Sequence, residues 1–168
     1  MNHDLHPPEL NDRTQLLIKA LKLTRHPEGG WFKETYRAAL INDSNRAAST
    51  AIYFLLSACD ISHFHRIDAD EAWHHYEGDP IRVHILDDMG YRTLEIGPWS
   101  TEGIEPQGVV PAGAWFCAEV IRGHAGYALV GCTVAPGFEF ASFELAKSDA
   151  LIRQWPSNRE LIERFTID

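Results

Sequence analysis

Cysteine is scarce in this chain, cations are outnumbered, and no apolar run is long. The three cysteines, Cys59, Cys117 and Cys132, are odd in number, widely spaced and each set in an apolar segment, a pattern that reads as buried free thiols rather than a disulfide framework. Fifteen Lys and Arg face 24 Asp and Glu, a formal net charge of −9. Such a surface repels phosphate backbones over most orientations, so nucleic acid is not an expected partner. The longest apolar runs, "TAIYFLL" and "YALVGCTVA", fall well short of the ~20 residues that cross a bilayer as a helix, so no membrane association is expected. The start, "MNHDLHPPELNDR", lacks the basic head and apolar centre of a secretory signal, and the expected location is cytoplasmic. No repeat, linker or low-complexity stretch interrupts the chain. At 168 residues it is long enough for one core and short for two, so a single domain over 1–168 is expected.

What is present falls into three parts. "NDRTQLLIKALKL" predicts an amphipathic helix over about 12–23, capped by Asn11 or Asp12, with Asp12 and Gln15 at capping-box spacing and Leu16, Leu17, Ala20 and Leu21 as its apolar stripe. Pro27 and the Gly29–Gly30 pair end it. From Trp31 to Phe143 the pattern becomes short runs of aromatic and β-branched residues, broken about every ten residues by Gly, Pro, Asn or Asp. Nine strands are predicted: "WFKETYRA", "STAIYFLLS", "SHFHRI", "EAWHHYEG", "IRVHILD", "YRTLEIG", "GVVPAG", "WFCAEVI" and "GYALVGCTVA". Connections this short suit an all-β barrel or two-sheet jelly roll, not crossover helices. "PGFEFASFEL" is read as a further extended piece with Phe138 and Phe140 on one face. A helical tail over about 147–166 follows, divided by Pro156, with Ser157 or Asn158 as the second cap.

The chemistry concentrates in "SHFHRIDADEAWHHYEGDP", Ser62 to Pro80, which holds four of nine histidines. Strand parity points His63 and His65 the same way, and sets Glu71, Trp73 and His75 on one face of the next strand with His74 on the other. Two imidazoles and a carboxylate on adjacent strands are three corners of a site for Fe, Mn, Ni or Zn. Without metal, a His and a Glu in an apolar pocket form an acid/base pair. The structural alternatives are surface or hydrogen-bonded histidines, and plain core packing for Trp73.

His63-x-His65, then Glu71, then Gly78 resembles the first motif of the cupin superfamily, G-x5-H-x-H-x3,4-E-x6-G, and Pro111-x-Gly113 resembles the start of its second, P-x-G-x2-H-x3-N. "HPEGGWFKETYR", "DEAWHHYEGDP", "VVPAGAWFCA" and "CTVAPGFEFASFEL", in that order, resemble one subgroup of small cupins. The resemblance covers about Trp31 to Phe143. It implies a small jelly-roll barrel, a homodimer, and a small molecule held in the barrel mouth. Three of the usual metal ligands map to His63, His65 and Glu71, with a five-residue spacer between His65 and Glu71 that exceeds the pattern, and the fourth falls on Phe116, which cannot bind metal. In the subgroup the recurring elements are His65-Arg66 and Asp70-Glu71-x-Trp73-His74.

The candidate residues are therefore His65, Glu71 and His74 for catalysis, and His63, Trp73, His75, Phe116, Phe138, Phe140 and Arg66 for the ligand pocket. His63, His65 and Glu71 are the candidate metal ligands. Arg66 and Arg82 are potential carboxylate or phosphate clamps or surface ion pairs. His84 reads as a rim or solvent residue. "HPEGG" carries His26 and Glu28 and reads as the turn between helix and barrel rather than a catalytic loop. The leading expectation is a cupin that binds a small polar metabolite, a sugar derivative or organic acid, and isomerises or epimerises it. The others are a non-catalytic binding or sensing module and a metal-dependent oxygenase or hydrolase.

Overall fold

The computed structural model describes residues 10–41, 45–121 and 123–167. Helix α1 spans Asp12–Leu21 and is capped by Asn11, whose side-chain oxygen accepts the Thr14 N–H at 2.8 Å. The Asp12–Gln15 box does not form, because the Gln15 amide donates to the Leu10 carbonyl instead. Thr14 and Leu17 are the buried side of α1, Ile18 and Leu21 pack beside them, and Leu16 is turned to solvent.

All nine expected strands are present, and two further strands of two residues each are too short to leave a periodicity in the sequence. The strands are β1 (Thr24–Arg25), β2 (Trp31–Arg37), β3 (Thr50–Ser57), β4 (Ile61–Arg66), β5 (Asp70–Gly78), β6 (Ile81–Asp87), β7 (Gly90–Ile96), β8 (Gln107–Val110), β9 (Trp115–Val120), β10 (Tyr127–Ala135) and β11 (Glu144–Leu145). Strand β8 stops at Val110 because Pro111 has no N–H to continue the ladder. The strands pair antiparallel into two sheets, β1-β2-β3-β10-β5-β8 and β11-β4-β9-β6-β7, the two faces of a jelly roll. Residues 136–143 are not an extended piece. After Pro136 the chain runs irregularly into a 3-10 turn over Phe140–Ser142.

The main core lies between the sheets, where Phe54, Trp73, Ile81, Val83, Ile85, Phe116, Val120 and Val130 interdigitate. A second apolar layer explains why "WFCAEV" is apolar on both faces: α2 (Ser148–Gln154) and α3 (Arg159–Arg164) cover the outer side of the five-stranded sheet. There Leu151, Ile152, Ile162 and Phe165 pack on Phe64, Trp115 and Cys117. Asn158 precedes α3 but makes no side-chain cap bond. Cys117 and Cys132 are buried free thiols as expected, whereas Cys59 is exposed, its alternating position lying at the strand end beyond Ser57.

Phe165 is fully buried against Phe64 and His84, so Phe165→Ala should destabilise the fold by about 3–5 kcal/mol. Urea denaturation followed by tryptophan fluorescence measures this, and an unchanged midpoint would mean that the C-terminal helices are not part of the cooperative unit.

Candidate functional site

At one end of the sandwich the inner faces of four neighbouring strands enclose a cavity of about 90 Å³. Alternation supplies the walls: Phe32 and Glu34 from β2, Ile52 and Phe54 from β3, Glu71 and Trp73 from β5, Cys132 and Val134 from β10. The opposite side is built by His65 and Ile67, by His26 and Glu28 of the turn after β1, and by Phe138, Phe140 and Phe143.

The turn "HPEGG" is where glycine is required. Gly29 and Gly30 have φ of +109° and +72°, and a Cβ on Gly29 would stand 2.1 Å from the Ile61 carbonyl oxygen. That close approach docks the turn on β4. The Glu28 carbonyl accepts both the His63 backbone N–H and the His63 Nδ1–H, each at 2.7 Å. The Glu28 side chain is thereby aimed into the barrel end. Its Oε1 accepts the Ser62 hydroxyl at 2.9 Å, and its Oε2 lies 3.1 Å from His65 Nε2 and 3.2 Å from His26 Nδ1.

Proton positions follow from these partners. His65 Nδ1 lies 2.7 Å from the His63 carbonyl, which only accepts, so Nδ1 carries a proton. A lone pair on Nε2 would then oppose a carboxylate lone pair at 3.1 Å, so one further proton is held across that gap. Burial pushes the Glu28 carboxyl up, but His65, His26 and Ser62 outweigh it and hold it below the usual carboxylate value. Burial pushes the His65 imidazole down, opposed by Glu28. The proton therefore belongs to the pair. His26 Nδ1 also accepts the Glu28 backbone N–H at 3.3 Å, so that this nitrogen faces both the N–H and the carboxylate of one residue. Its Nε2 has no hydrogen-bond partner among the described residues, although the side chain is only 7% exposed. Five phenylalanine rings surround it, from Phe32 at 4.6 Å to Phe138 at 6.5 Å between centroids.

Glu71 is in the opposite condition. Burial, and then the charge of Glu28, push its carboxyl up to about 8, against a hydrogen bond with Cys132. It is therefore a neutral carboxylic acid at neutral pH. At the mouth, Arg37 is held on three sides. It donates to Glu34 at 3.0 and 2.8 Å, to Glu139 at 2.8 Å, and to the Phe138 carbonyl at 3.2 Å. Glu34 and Arg37 share the cavity side because a bulge between Glu34 and Tyr36 adds one residue to β2.

The structure gathers His65, Glu71, Trp73, Phe138 and Phe140 around the cavity. Phe116 lies behind them, its ring 4.0 Å from that of His65. Four predicted site residues lie elsewhere. His63 is turned out to the HPEGG turn, because β4 carries a bulge between Ser62 and His65 that breaks the assumed parity. His74 is on the outer face of its sheet, 3.4 Å from Thr133 Oγ1. His75 sits towards the other end of β5 in a shallow cleft with Pro98, Trp99 and Pro106. Arg66 stacks on Trp115 and pairs with Glu144 at the surface. Arg82 likewise pairs with Glu95, and His84 is buried rather than at a rim, held by Tyr91 and Glu119. The sequence reading did not assign His26, Glu28, Arg37 or Cys132 to the site. Two titratable residues in a Gly-Gly turn were a signal for the first pair, but the docking of that turn on β4 is a tertiary fact.

The donor set does not fit a metal ion. His63 is outside the cavity, both nitrogens of His65 are engaged, Phe116 fills the fourth corner, and no group of three or more His, Cys, Asp or Glu among the described residues has ligand geometry.

Residues 15–146 match the family described as Cupin superfamily (DUF985). A hypothetical protein from Leishmania major is 34% identical, with 92% of this chain and 98% of that one covered at a TM-score of 0.85. A structural-genomics target from Shewanella oneidensis is also 34% identical, with 95% and 99% covered at 0.84. Oxalate decarboxylase from Bacillus subtilis is 17% identical, with 84% of this chain and 36% of that one covered at 0.52, and shares the fold. No curated protein matches the chain.

Because the folded protein binds the Glu71 proton more tightly than the unfolded chain, stability is lost as pH rises from the ordinary 4.5 to about 8. Glu71→Gln removes that loss. The variant should melt higher than the parent, by a margin that widens across this window and is flat beyond it. Thermal melts at a series of pH values check this, and a margin independent of pH would show that Glu71 is ionised in the folded state.

Proposed function

The chain belongs to the cupin superfamily, in the family described as DUF985, and from that membership we propose that its barrel end binds a small polar metabolite and moves protons on it, as isomerases and epimerases do. The observation that carries this is a pair of buried carboxylates in one apolar cavity driven in opposite directions: Glu28 down by its three donors, Glu71 up by burial. Environments that separate two such groups assign a base side and an acid side. His26 Nε2 is the accepting atom. Glu28 orients its ring through Nδ1, and His65 steadies Glu28. Glu71 is the donor, able to protonate an oxygen that gains charge as a neighbouring C–H is broken. The phenylalanine walls and Trp73 exclude water, and the Trp73 indole N–H, buried without a partner among the described residues, is a further donor. A non-catalytic binding module would need the cavity but not this separation of proton affinities.

Small metabolites that bind in a ligand-observed NMR screen should exchange a carbon-bound hydrogen with solvent deuterium when incubated with the protein. Exchange should fall as pH rises through about 8, where Glu71 loses its proton. Glu71→Gln and His26→Phe should each slow it about 100-fold or more, with a smaller change in affinity. Binding without exchange would favour the non-catalytic module.

We also propose a homodimer. Among the described residues, strand β1 pairs with only Trp31 and Phe32 of the β2 edge and none pairs with Lys33–Arg37 on that side, and Tyr36 and Leu40 nearby are exposed. Light scattering should give twice the 19.0 kDa chain mass, and a monomer at micromolar concentration would refute it.

A further inference from the structure

Trp73 Nε1 is buried and has no hydrogen-bond partner among the described residues. Buried atoms of Thr14, Trp31 and His75 share that condition, but none of those residues lines the cavity of Glu28 and Glu71, whereas Trp73 does. The residue is 1% exposed, and its ring neighbours are Phe54 and Phe116, with centroids 5.7 and 6.4 Å away. Neither offers an oxygen. At those two positions phenylalanine meets the packing need with no polar atom, so packing alone gives no reason for an indole beside them. A buried N–H left unpaired is costly, and nearly all such groups in folded proteins are paired. The missing acceptor has to come from outside the chain.

Glu71 supplies a second donor next to it. It lies two positions before Trp73 on β5 with unbroken register between them, so both side chains leave the same strand face, about 7 Å apart. The carboxyl meets the Cys132 thiol and keeps its own proton at neutral pH. Two neighbouring donors fit an oxygen that has two lone pairs and no proton, which is a carbonyl. A hydroxyl brings a proton that needs an acceptor of its own. A carboxylate meets the conditions that keep Glu71 neutral, burial and the charge of Glu28. At about 90 Å³ the cavity is smaller than the ~150 Å³ that takes a benzene ring, so the group it encloses has about four non-hydrogen atoms. We infer that the ligand inserts a neutral carbonyl group, of an aldehyde, ketone or amide, whose oxygen accepts from Trp73 Nε1–H and from the Glu71 carboxyl. This rests on the reading of the cavity as the ligand site and names its substrate class: a carbonyl compound whose oxygen gains charge between two donors as the neighbouring C–H is broken. Trp73 is the residue that selects that oxygen.

Acetone, 2-propanol and acetate match that size and differ in the group they offer. The five tryptophans give five indole N–H signals in an NMR spectrum of the full chain, and Trp73→Phe identifies the one at position 73. If that variant does not fold, contacts with the Phe54 and Phe116 rings identify the signal in the parent. Acetone should move this signal downfield and the others little, and should bind about fivefold or more tighter than acetate, with 2-propanol between them. Benzothienylalanine at position 73 keeps the shape of the indole with sulfur in place of the N–H, and should weaken acetone about tenfold. Glu71→Gln, whose amide still donates, should hold acetone within about threefold of the parent. Acetate binding as tightly as acetone, an affinity unchanged by benzothienylalanine, or a Trp73 signal that no probe moves would overturn the carbonyl assignment. Deuterium exchange on a screened metabolite judges the acid/base reading separately, since Glu71→Gln should slow exchange about 100-fold while carbonyl binding is kept, so either can fail without the other.

Discussion

Glu28 is a buried carboxylate, and the geometry of the site follows from what must be done to keep it there. An unpaired charge at that depth would cost several kcal/mol. The chain answers with donors from separate places: Ser62 and His65 on β4, and His26 from the same turn. Those donors converge only if the HPEGG turn lies flat on β4, which needs a glycine at position 29, and only if Ser62 and His65, three residues apart, face the same way. The bulge in β4 makes the second condition true. The same insertion turns His63 outward, where it ties the turn down through the Glu28 carbonyl. One irregular residue thus converts an H-x-H strand from a pair of metal ligands into one site residue and one anchor.

This accounts for what could and could not be read beforehand. The nine longer strands were legible because their alternation and turn residues are local properties, and motif and parity together pointed His65, Glu71 and Trp73 to what is one cavity, which Phe138 and Phe140 also line although the extended piece assumed for them is not formed. Bulges have no such signature: each of the three in β2, β4 and β5 opposes two residues to one through pairing with a distant strand. The misplacement of His63 comes from parity carried across such an insertion. His75 failed for a different reason. Its side of the strand was right, but two residues beyond Trp73 displace it by about 7 Å, to a place covered by another loop.

Phe116 shows the change of chemistry most directly. At the position where a metal-binding cupin of the usual pattern supplies its last imidazole, an aromatic ring packs on His65 at 4.0 Å and edge-on to Trp73. A carbon ring at that corner supplies no metal ligand. The raised Glu71 carboxyl has causes of its own, burial and then the charge of Glu28.

The two carboxylates make the general point about such a site. Glu28 and Glu71 are the same residue type, equally buried, and line the same cavity. Three donors around Glu28 replace the hydration it lost, and it stays below its ordinary value. Glu71 has one weak thiol partner and the field of Glu28, so it is pushed the other way. Neither state is a property of glutamate or of depth. It is set by the count of donors each carboxylate meets, and because those donors come from β4, the turn and β10 in fixed register, the difference in proton affinity is built into the fold before any ligand arrives.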